Sequence, residues 1–113
     1  MSEPIIDPAT FAELQETAGA DFVSELVQTF LEEAPAMLQE LRDALASGNA
    51  EGYRRAAHSL KSNSLTFGAR TLAALAREQE LGGLAAAPRS NALDALAQEY
   101  ARVADALREL SHG

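Results

Sequence analysis

The sequence predicts an all-α protein: an antiparallel up-down four-helix bundle with an additional short N-terminal helix. Apolar residues recur at steps of three and four, the spacing of one helix face, and no stretch alternates apolar and polar residues as a strand does. The composition is 47% hydrophobic but only 5% aromatic, and its many Ala and Leu residues favour helices. A chain of 113 residues can build one core, so residues 1–113 are expected to form a single domain with short flexible tails.

A short first helix is expected to begin at Asp7-Pro8 and to end at Gly19. An Asp side chain can accept hydrogen bonds from the free N–H groups of a first turn, and Pro suits the first helical position. Phe11 and Leu14 then form an apolar pair on one side of the helix. Gly19 can adopt the left-handed backbone conformation that ends many helices.

The second helix is expected to be long, running from a cap at Asp21 to Gly48. Its apolar stripe comprises Phe22, Val23, Leu26, Val27, Phe30, Leu31, Ala34, Met37, Leu38, Leu41 and Leu45. Pro35 lies inside this stripe and removes one backbone hydrogen bond, which predicts a kink there. Two separate helices are the alternative, but the apolar phase continues across Pro35 and favours one bent helix.

A third helix, at about residues 50–67, is predicted to have two contrasting faces. Asn49 is its expected cap, and Gly68 can take the positive φ that stops it. One face is expected in the core and consists of Tyr53, Ala56, Ala57, Leu60, Ser64 and Phe67. The opposite face consists of Arg54, His58, Lys61, Ser62 and Leu65.

Two further helices complete the predicted bundle. The fourth is expected at about residues 69–82 and is ended by Gly82-Gly83. The fifth is expected to begin at a cap provided by Ser90 and to run to the C-terminal tail. Between them, residues 87–89 are the expected flexible loop. Short turns between four substantial helices favour the antiparallel bundle.

The charge and the composition exclude several functional classes. The formal net charge is −8 and the isoelectric point is about 4.6, so we expect neither nucleic-acid binding nor attraction to an anionic membrane. The absence of Cys excludes disulfides and thiolate metal sites. No signal peptide is recognisable, and no apolar run approaches the ~20 residues of a spanning helix. We therefore expect a cytoplasmic protein, and we expect it to be a monomer.

His58 is the most informative residue, because the predicted helix points its ring away from the core. A neutral imidazole is a good nucleophile near neutral pH, and on a rigid helix it can reach into another protein's pocket. Lys61 follows one turn later on the same face, where its ammonium can neutralise a phosphoryl oxygen. Ser62 is small and leaves room for an incoming active site, and Leu65 extends this face as an apolar spot. The arrangement suits an acceptor of a phosphoryl group.

The residues by themselves leave the role of this face open. A lone His on a helix is more often a solvated or core residue than a reaction centre, and Lys at this spacing is usually a surface charge. The run Ser62-Asn63-Ser64 is less ordinary, because Ser and Asn compete for backbone groups and lower helix propensity. From spacing alone, a functional role for His58 and an ordinary surface role have about equal support.

Residues 58–69, which read HSLKSNSLTFGA, strongly resemble the signature of histidine-containing phosphotransfer (HPt) domains. The family's pattern is His-x-Leu-Lys-[Gly/Ser]-small-[Ser/Ala], followed by a Gly ten residues after the His. That glycine corresponds here to Gly68. The resemblance implies the all-helical fold of that family.

The resemblance extends over nearly the whole chain. Asp7-Pro8 looks like the family's opening, residues 30–35 like its long kinked helix, and residues 72–80 like its fourth helix. The sequence departs from the family pattern at Ser62, where many members have Gly and where the serine narrows the approach to His58. It also departs at Gln79, where an apolar core residue is usual, and a local hydrogen bond is expected for this amide.

By this resemblance, His58 is the phosphoacceptor and Lys61 is the phosphate neighbour. Some members of the family carry a polar residue 22 positions after the His, which corresponds to Glu80. A carboxylate there can hydrogen-bond the other ring nitrogen, fix the tautomer and leave Nε2 free to attack. An ordinary exposed helix charge is the equally supported alternative for Glu80.

The family docks receiver domains through an apolar patch beside the His. The candidates in this sequence are Phe11, Leu14, Phe22 and Leu65, of which the first three are equally explained as core residues. No cofactor or metal site is expected in this chain. Mg²⁺ is expected in the carboxylate pocket of the partner receiver, because carboxylates together with phosphate favour that ion.

The resemblance implies a phosphorelay intermediate whose partners are response-regulator receiver domains and a hybrid histidine kinase. The chain would take a phosphoryl group from an aspartyl phosphate and pass it to another receiver. It lacks a Gly-rich phosphate loop with Lys-Ser/Thr, so we expect a phosphoryl carrier without an ATP site rather than an enzyme. The alternative is a non-catalytic module that binds a receiver or kinase as an inhibitor or phosphate sink. A hydrolytic or metal enzyme is disfavoured, because only His58 and His112 can supply imidazole.

Overall fold

The computed structural model describes residues 5–86 and 92–112, and the regular structure in these ranges is entirely helical. Five helices follow one another: α1 (Pro8–Ala18), α2 (Ala20–Ser47), α3 (Ala50–Thr66), α4 (Arg70–Ala86) and α5 (Ala92–His112). The all-α prediction is therefore confirmed for the described residues. The predicted loop at residues 87–89 and the predicted cap at Ser90 lie outside them. Within the described ranges, no helix combines the length and the apolar character needed to cross a membrane.

The two ends of α2 differ in how well they match the prediction. Asp21 is not the N-cap: Gly19, at φ 91°, ends α1 and also caps α2, which leaves no separate linker between the two helices. Asp21 lies instead in the first turn of α2. A carboxylate there is stabilised by the positive end of the helix dipole. At the other end, Gly48 adopts the left-handed conformation at φ 69°. Asn49 then caps α3 as predicted, with its side chain accepting from the Gly52 N–H at 3.0 Å.

Asp7 stands at the N-cap of α1, but its side chain does not cap the helix. Its Oδ2 accepts from the Thr10 hydroxyl at 2.5 Å and from the Arg70 guanidinium at 3.0 Å. The Thr10 hydrogen bond, with a smaller contribution from Arg70, holds the pKa of Asp7 below its usual value. The backbone N–H of Asp7 donates to the Gly68 carbonyl at 2.9 Å. This residue therefore ties the start of α1 to the α3–α4 turn rather than capping α1.

Pro35 lies inside α2, which continues through it as one helix. Because proline has no N–H, the Leu31 carbonyl one turn earlier loses its helical donor. The Tyr100 hydroxyl of α5 donates to that carbonyl at 3.2 Å and so replaces the missing hydrogen bond. The alternative of two separate helices is wrong, and the kink expected at Pro35 stays a prediction.

The four longer helices contact one another in a ring around the core. α3 packs against α2 and α4, α5 packs against the same two helices, and α1 packs against α2. The largest fully buried apolar side chains are Leu41, Tyr53, Leu60, Leu72, Leu96, Leu107, Val23 and Val103. The Phe30 ring of α2 lies 5.4 Å from that of Phe67 and 5.9 Å from that of Tyr100, measured between centroids. The antiparallel up-down order of these helices stays a prediction.

Two predicted positions need correction. Gly83 interrupts α4 with non-helical angles, φ 61° and ψ −155°, but helical backbone resumes and reaches Ala86, so Gly82-Gly83 is a break rather than the end. Phe22, which the apolar stripe of α2 includes, is 52% exposed. Its neighbour Val23 takes the inward position, and successive helix residues differ in direction by about 100°, which turns Phe22 outward.

Candidate functional site

α3 presents His58 to solvent because the other side of the helix is buried. Leu60 and Ser64 have no exposed surface, whereas the His58 side chain is 57% exposed. The small polar residues that follow bond to their own helix: Ser64 donates to the Leu60 carbonyl at 2.6 Å, and Asn63 donates to the Ser59 carbonyl at 2.8 Å. These bonds satisfy the polar side chains of Ser64 and Asn63 within α3 itself.

Glu80 of α4 brings His58 and Lys61 of α3 into one cluster. Its Oε2 lies 2.6 Å from His58 Nδ1, and its Oε1 lies 2.7 Å from Lys61 Nζ. The Glu80 side chain is only 15% exposed, and its Oε1 is buried from solvent. One carboxylate therefore uses its two oxygens for two different partners on the neighbouring helix.

These contacts determine which nitrogen of the neutral His58 ring carries the proton. The hydrogen bond from Lys61, and next that from His58, hold the pKa of Glu80 below its usual value, so near neutral pH the side chain is a carboxylate. A carboxylate can only accept hydrogen bonds, so Nδ1 of His58 must carry the proton. The neutral ring then keeps its lone pair on Nε2, the nitrogen that is free to react.

Tyr53 and Gln79 form a buried hydrogen bond between the same two helices. The Tyr53 hydroxyl donates to Gln79 Oε1 at 2.8 Å, and Gln79 is only 5% exposed. Burial raises the pKa of Tyr53, so the hydroxyl remains a donor. Gln79 thus accepts a hydrogen bond from the distant Tyr53 on α3, whereas the sequence led us to expect a local partner. The signal was a polar residue at a core position, which requires a partner.

A recess of about 280 Å³ adjoins the His58 ring. Its lining consists of Glu51, Arg54, Arg55, His58, Ser59 and Glu80. The sequence predicts Arg54 on the same face as His58, whereas it gives no indication that Glu51 and Arg55 adjoin the ring. Two cations therefore lie beside the imidazole in a chain whose overall charge is −8.

The candidate docking residues differ in the surface that they offer. Leu65 and Phe22 are each 52% exposed, and Ser62 is exposed beside Lys61. Leu14 is partly buried against the core, and Phe11 belongs to the core with 3% exposure. Phe11 thus follows the core interpretation that the sequence left open, and as placed it offers a partner almost no surface.

Gly68 follows α3 with a φ of 80°, a conformation that favours glycine. A Cβ at this position would lie 2.9 Å from the Thr10 Cβ and 3.2 Å from the Asp7 Cβ. The start of α1 therefore packs directly against this turn. The glycine is required both by the backbone angle and by the close approach of another segment, and the sequence predicted only the first.

No group of three or more His, Asp and Glu residues is arranged to hold a metal ion in the described parts of the chain. The site consists instead of one imidazole, one carboxylate, one ammonium and the adjoining guanidinium groups. Such a set can hold a neutral nucleophile in a fixed tautomer and can offer positive charge to an incoming anion.

Comparisons with known proteins agree with this arrangement. The family model described as the Hpt domain matches residues 25–112. The structure is similar to the crystal structure of histidine-containing phosphotransfer protein B (HptB) from Pseudomonas aeruginosa PAO1, with a TM-score of 0.86 and 29% sequence identity over 98% of this chain and 97% of that one. A search of curated proteins finds no match. The match over most of the chain shows that this protein belongs to the Hpt domain family and has a role in histidine phosphotransfer.

Proposed function

We propose that this protein is a phosphoryl carrier in a two-component phosphorelay, with His58 as the phosphoacceptor. It would receive a phosphoryl group from an aspartyl phosphate on one receiver domain and pass it to a second receiver. The observation that carries this proposal is the exposed His58 ring, whose Nδ1 is hydrogen-bonded to Glu80 at 2.6 Å. The other ring nitrogen is therefore free, and the ring stands on a rigid helix where a partner's pocket can enclose it.

In the proposed step, the Nε2 lone pair attacks phosphorus and the bond from phosphorus to the aspartyl oxygen breaks. The electron pair of that bond stays on the oxygen, which leaves as a carboxylate. No proton has to leave Nε2, because the ring proton is on Nδ1. The return step reverses these changes, with the carboxylate of the second receiver as the nucleophile. This chain supplies the nucleophile and its orientation, and it carries no ATP-binding loop.

Lys61 and Glu80 have different roles in this proposal. Glu80 orients the ring and fixes its tautomer through Nδ1. Lys61 is held beside the ring by its 2.7 Å contact with Glu80, from where its ammonium can turn to a phosphoryl oxygen. An ammonium on a flexible stem is suited to such a change of partner. Mg²⁺ is assigned to the carboxylate pocket of the receiver, where phosphate completes its coordination.

The surface proposed to dock the receiver contains Leu65, Ser62 and Phe22. Both apolar side chains are about half exposed, and Ser62 leaves the ring accessible. Leu14 is partly buried and contributes only its exposed part, and Phe11, at 3% exposure, contributes almost no surface. The proposal takes the carrier to be a cytoplasmic monomer of one domain, with α2 to α5 in antiparallel order. The two-residue connection from α2 to α3 and the three-residue connection from α3 to α4 support that order.

The test is a transfer assay with a receiver that carries a labelled aspartyl phosphate. The wild-type protein should become labelled, and His58→Gln should not. His112→Gln is the matched control, since His112 is the chain's other histidine, and it should be labelled like wild type. Equal labelling of wild type and His58→Gln would overturn the proposal.

A second receiver separates a carrier from a non-catalytic module. After removal of the first receiver, the phosphorylated protein is mixed with an unphosphorylated receiver, and the initial rate of label transfer is measured. A carrier passes its label on faster than the label is lost to water. A module that only binds receivers, or that stores phosphate as a sink, would retain the label or lose it by hydrolysis.

A further inference from the structure

Glu80 contacts the ring nitrogen that carries a proton but no phosphoryl group. Its Oε2 is 2.6 Å from Nδ1, its side chain is only 15% exposed, and Lys61 holds its other oxygen at 2.7 Å. The carboxylate is thus a fixed negative charge in direct contact with Nδ1. This geometry has a consequence for the phosphorylated form, in addition to orienting the free ring.

We propose that Glu80 keeps the Nδ1 proton on His58 after phosphorylation and thereby makes its phosphoryl group easier to transfer. This inference rests on the proposed function. Glu80 acts through His58 and does not touch the phosphoryl group, so it is a positioning residue. A neutral side chain of the same shape could orient the ring, but it could not hold this proton by its charge.

The chemistry of the leaving group gives the reason. When the phosphoryl group leaves, the bond from phosphorus to Nε2 breaks and its electron pair stays on Nε2. With a proton on Nδ1, the phosphorylated ring is a cation and departs as neutral imidazole. Without that proton, the ring would have to depart as an imidazolate anion, which is far more basic and a much poorer leaving group. A contacting carboxylate favours the cationic ring, because opposite charges at this distance attract strongly.

The other charged groups around the ring do not reverse this effect. Arg54, Arg55 and Lys61 are cations that disfavour a protonated ring, and Glu51 is an anion that favours one. Arg54, Arg55 and Glu51 line the recess beside the ring, and no residue of α2 contributes to that lining. Lys61 lies 2.7 Å from Glu80 Oε1 in the unphosphorylated protein. After phosphorylation it turns to the phosphoryl oxygens, as proposed above, so an anion offsets its charge in both forms. Of these groups, Glu80 is the one in hydrogen-bond contact with Nδ1.

The experiment needs no partner protein. Wild type, Glu80→Gln and Glu78→Gln are phosphorylated with phosphoramidate, and the phosphorylated residue is identified by mass spectrometry. The loss of phosphate to water is then timed from acid to alkaline pH. Hydrolysis should slow as the Nδ1 proton is lost, and the midpoint should lie about one to three pH units lower in Glu80→Gln than in wild type. Glu78→Gln removes the same charge from an exposed position of α4 and should match wild type.

Each outcome has a separate meaning. Labelled His58 with coincident midpoints in wild type and Glu80→Gln would overturn this inference and leave the proposed function standing. A failure of phosphoramidate to label His58 would overturn both. Nitrogen-15 NMR of the unphosphorylated wild type gives a second readout, in which Nδ1 should be protonated and Nε2 should not. A proton on Nε2 instead would also overturn the inference.

Discussion

Tyr53 donates from its buried hydroxyl to Gln79 Oε1 at 2.8 Å, one residue before Glu80 on α4. The bond joins α3 to α4 through the core, while His58 and Glu80 join the same helices at the surface. Both contacts hold the two helices in one register. The buried pair therefore supports the position of the carboxylate that orients the imidazole.

Removal of one partner of this buried pair should cost more than removal of both. Tyr53→Phe leaves the Gln79 amide oxygen buried without a donor, which should lower the free energy of unfolding by about 1–3 kcal/mol. The double variant Tyr53→Phe with Gln79→Leu removes both polar groups and should recover much of that loss. Urea unfolding of wild type, both single variants and the double variant measures the coupling. Additive losses would show that the hydrogen bond has little energetic importance.

Lys61→Met should slow phosphoryl transfer to His58 without unfolding the protein. It removes the cation that is proposed to meet the phosphoryl oxygens, a charged hydrogen bond worth about 1.5–3 kcal/mol, so the initial rate should fall roughly 10- to 100-fold. The rate of labelling by a phosphorylated receiver is the measurement. Arg42→Met, an exposed change on α2, is the control for loss of one positive charge. An unchanged rate in Lys61→Met would remove this lysine from the proposed step.

Glu80 should stabilise the fold at neutral pH and lose this effect in acid. Its folded-state pKa is lowered from 4.5, first by Lys61 and then by His58. Its stabilising contribution is therefore complete above the unfolded value and disappears as pH falls through the lower folded value. The difference in unfolding free energy between wild type and Glu80→Gln should thus be largest above pH 4.5 and shrink below it. Denaturant unfolding across this range is the test, and a difference independent of pH would contradict the expectation.

A comparison of alanine variants at Gly68 and Gly48 separates the energetic cost of backbone strain from that of steric overlap. Both have a positive φ, 80° and 69°, but a Cβ at Gly48 meets nothing within 4 Å, whereas one at Gly68 meets the Thr10 Cβ at 2.9 Å. Gly48→Ala should lower the free energy of unfolding by about 1–2 kcal/mol, the cost of placing a residue with a Cβ in the left-handed conformation. Gly68→Ala should cost more, since the start of α1 must also move. Thermal unfolding of the two variants gives the comparison. Equal losses of stability would mean that the start of α1 moves aside at no measurable energetic cost.

Tyr100 and Pro35 should be coupled through the Leu31 carbonyl. Tyr100→Phe removes the donor that replaces the helical N–H, and the loss should be about 1 kcal/mol. In a Pro35→Ala background the backbone N–H returns, so Tyr100→Phe should cost less there. A double-mutant cycle by urea unfolding measures this coupling. An identical cost in both backgrounds would mean that the carbonyl does not depend on Tyr100.

Local patterns in the sequence were sufficient for most of the fold. Apolar spacing predicts the five helices, because a helix must place one face toward the core. Asn49 and Gly48 mark the α2–α3 turn, because a cap and a left-handed residue act within a few positions of their own place in the chain. Asp7 was less well predicted, because the α3–α4 turn packs against it and its side chain bonds Thr10 and Arg70. Asp21 was also misplaced, because Gly19 ends α1 and takes the cap position of α2 as well.

The sequence alone determined the helical fold, the exposed face of α3 and, through its signature, His58 as the candidate reactive residue. These features depend on the spacing of apolar residues and on residues that are close together in the chain, so they can be read directly from the sequence. Only the tertiary structure decided that Glu80 reaches both His58 and Lys61, that Gln79 serves Tyr53, and that Phe22 faces solvent. The reason is that these contacts depend on the register and rotation of one helix against another. That arrangement is set by the packing of the whole core, and no single stretch of sequence specifies it.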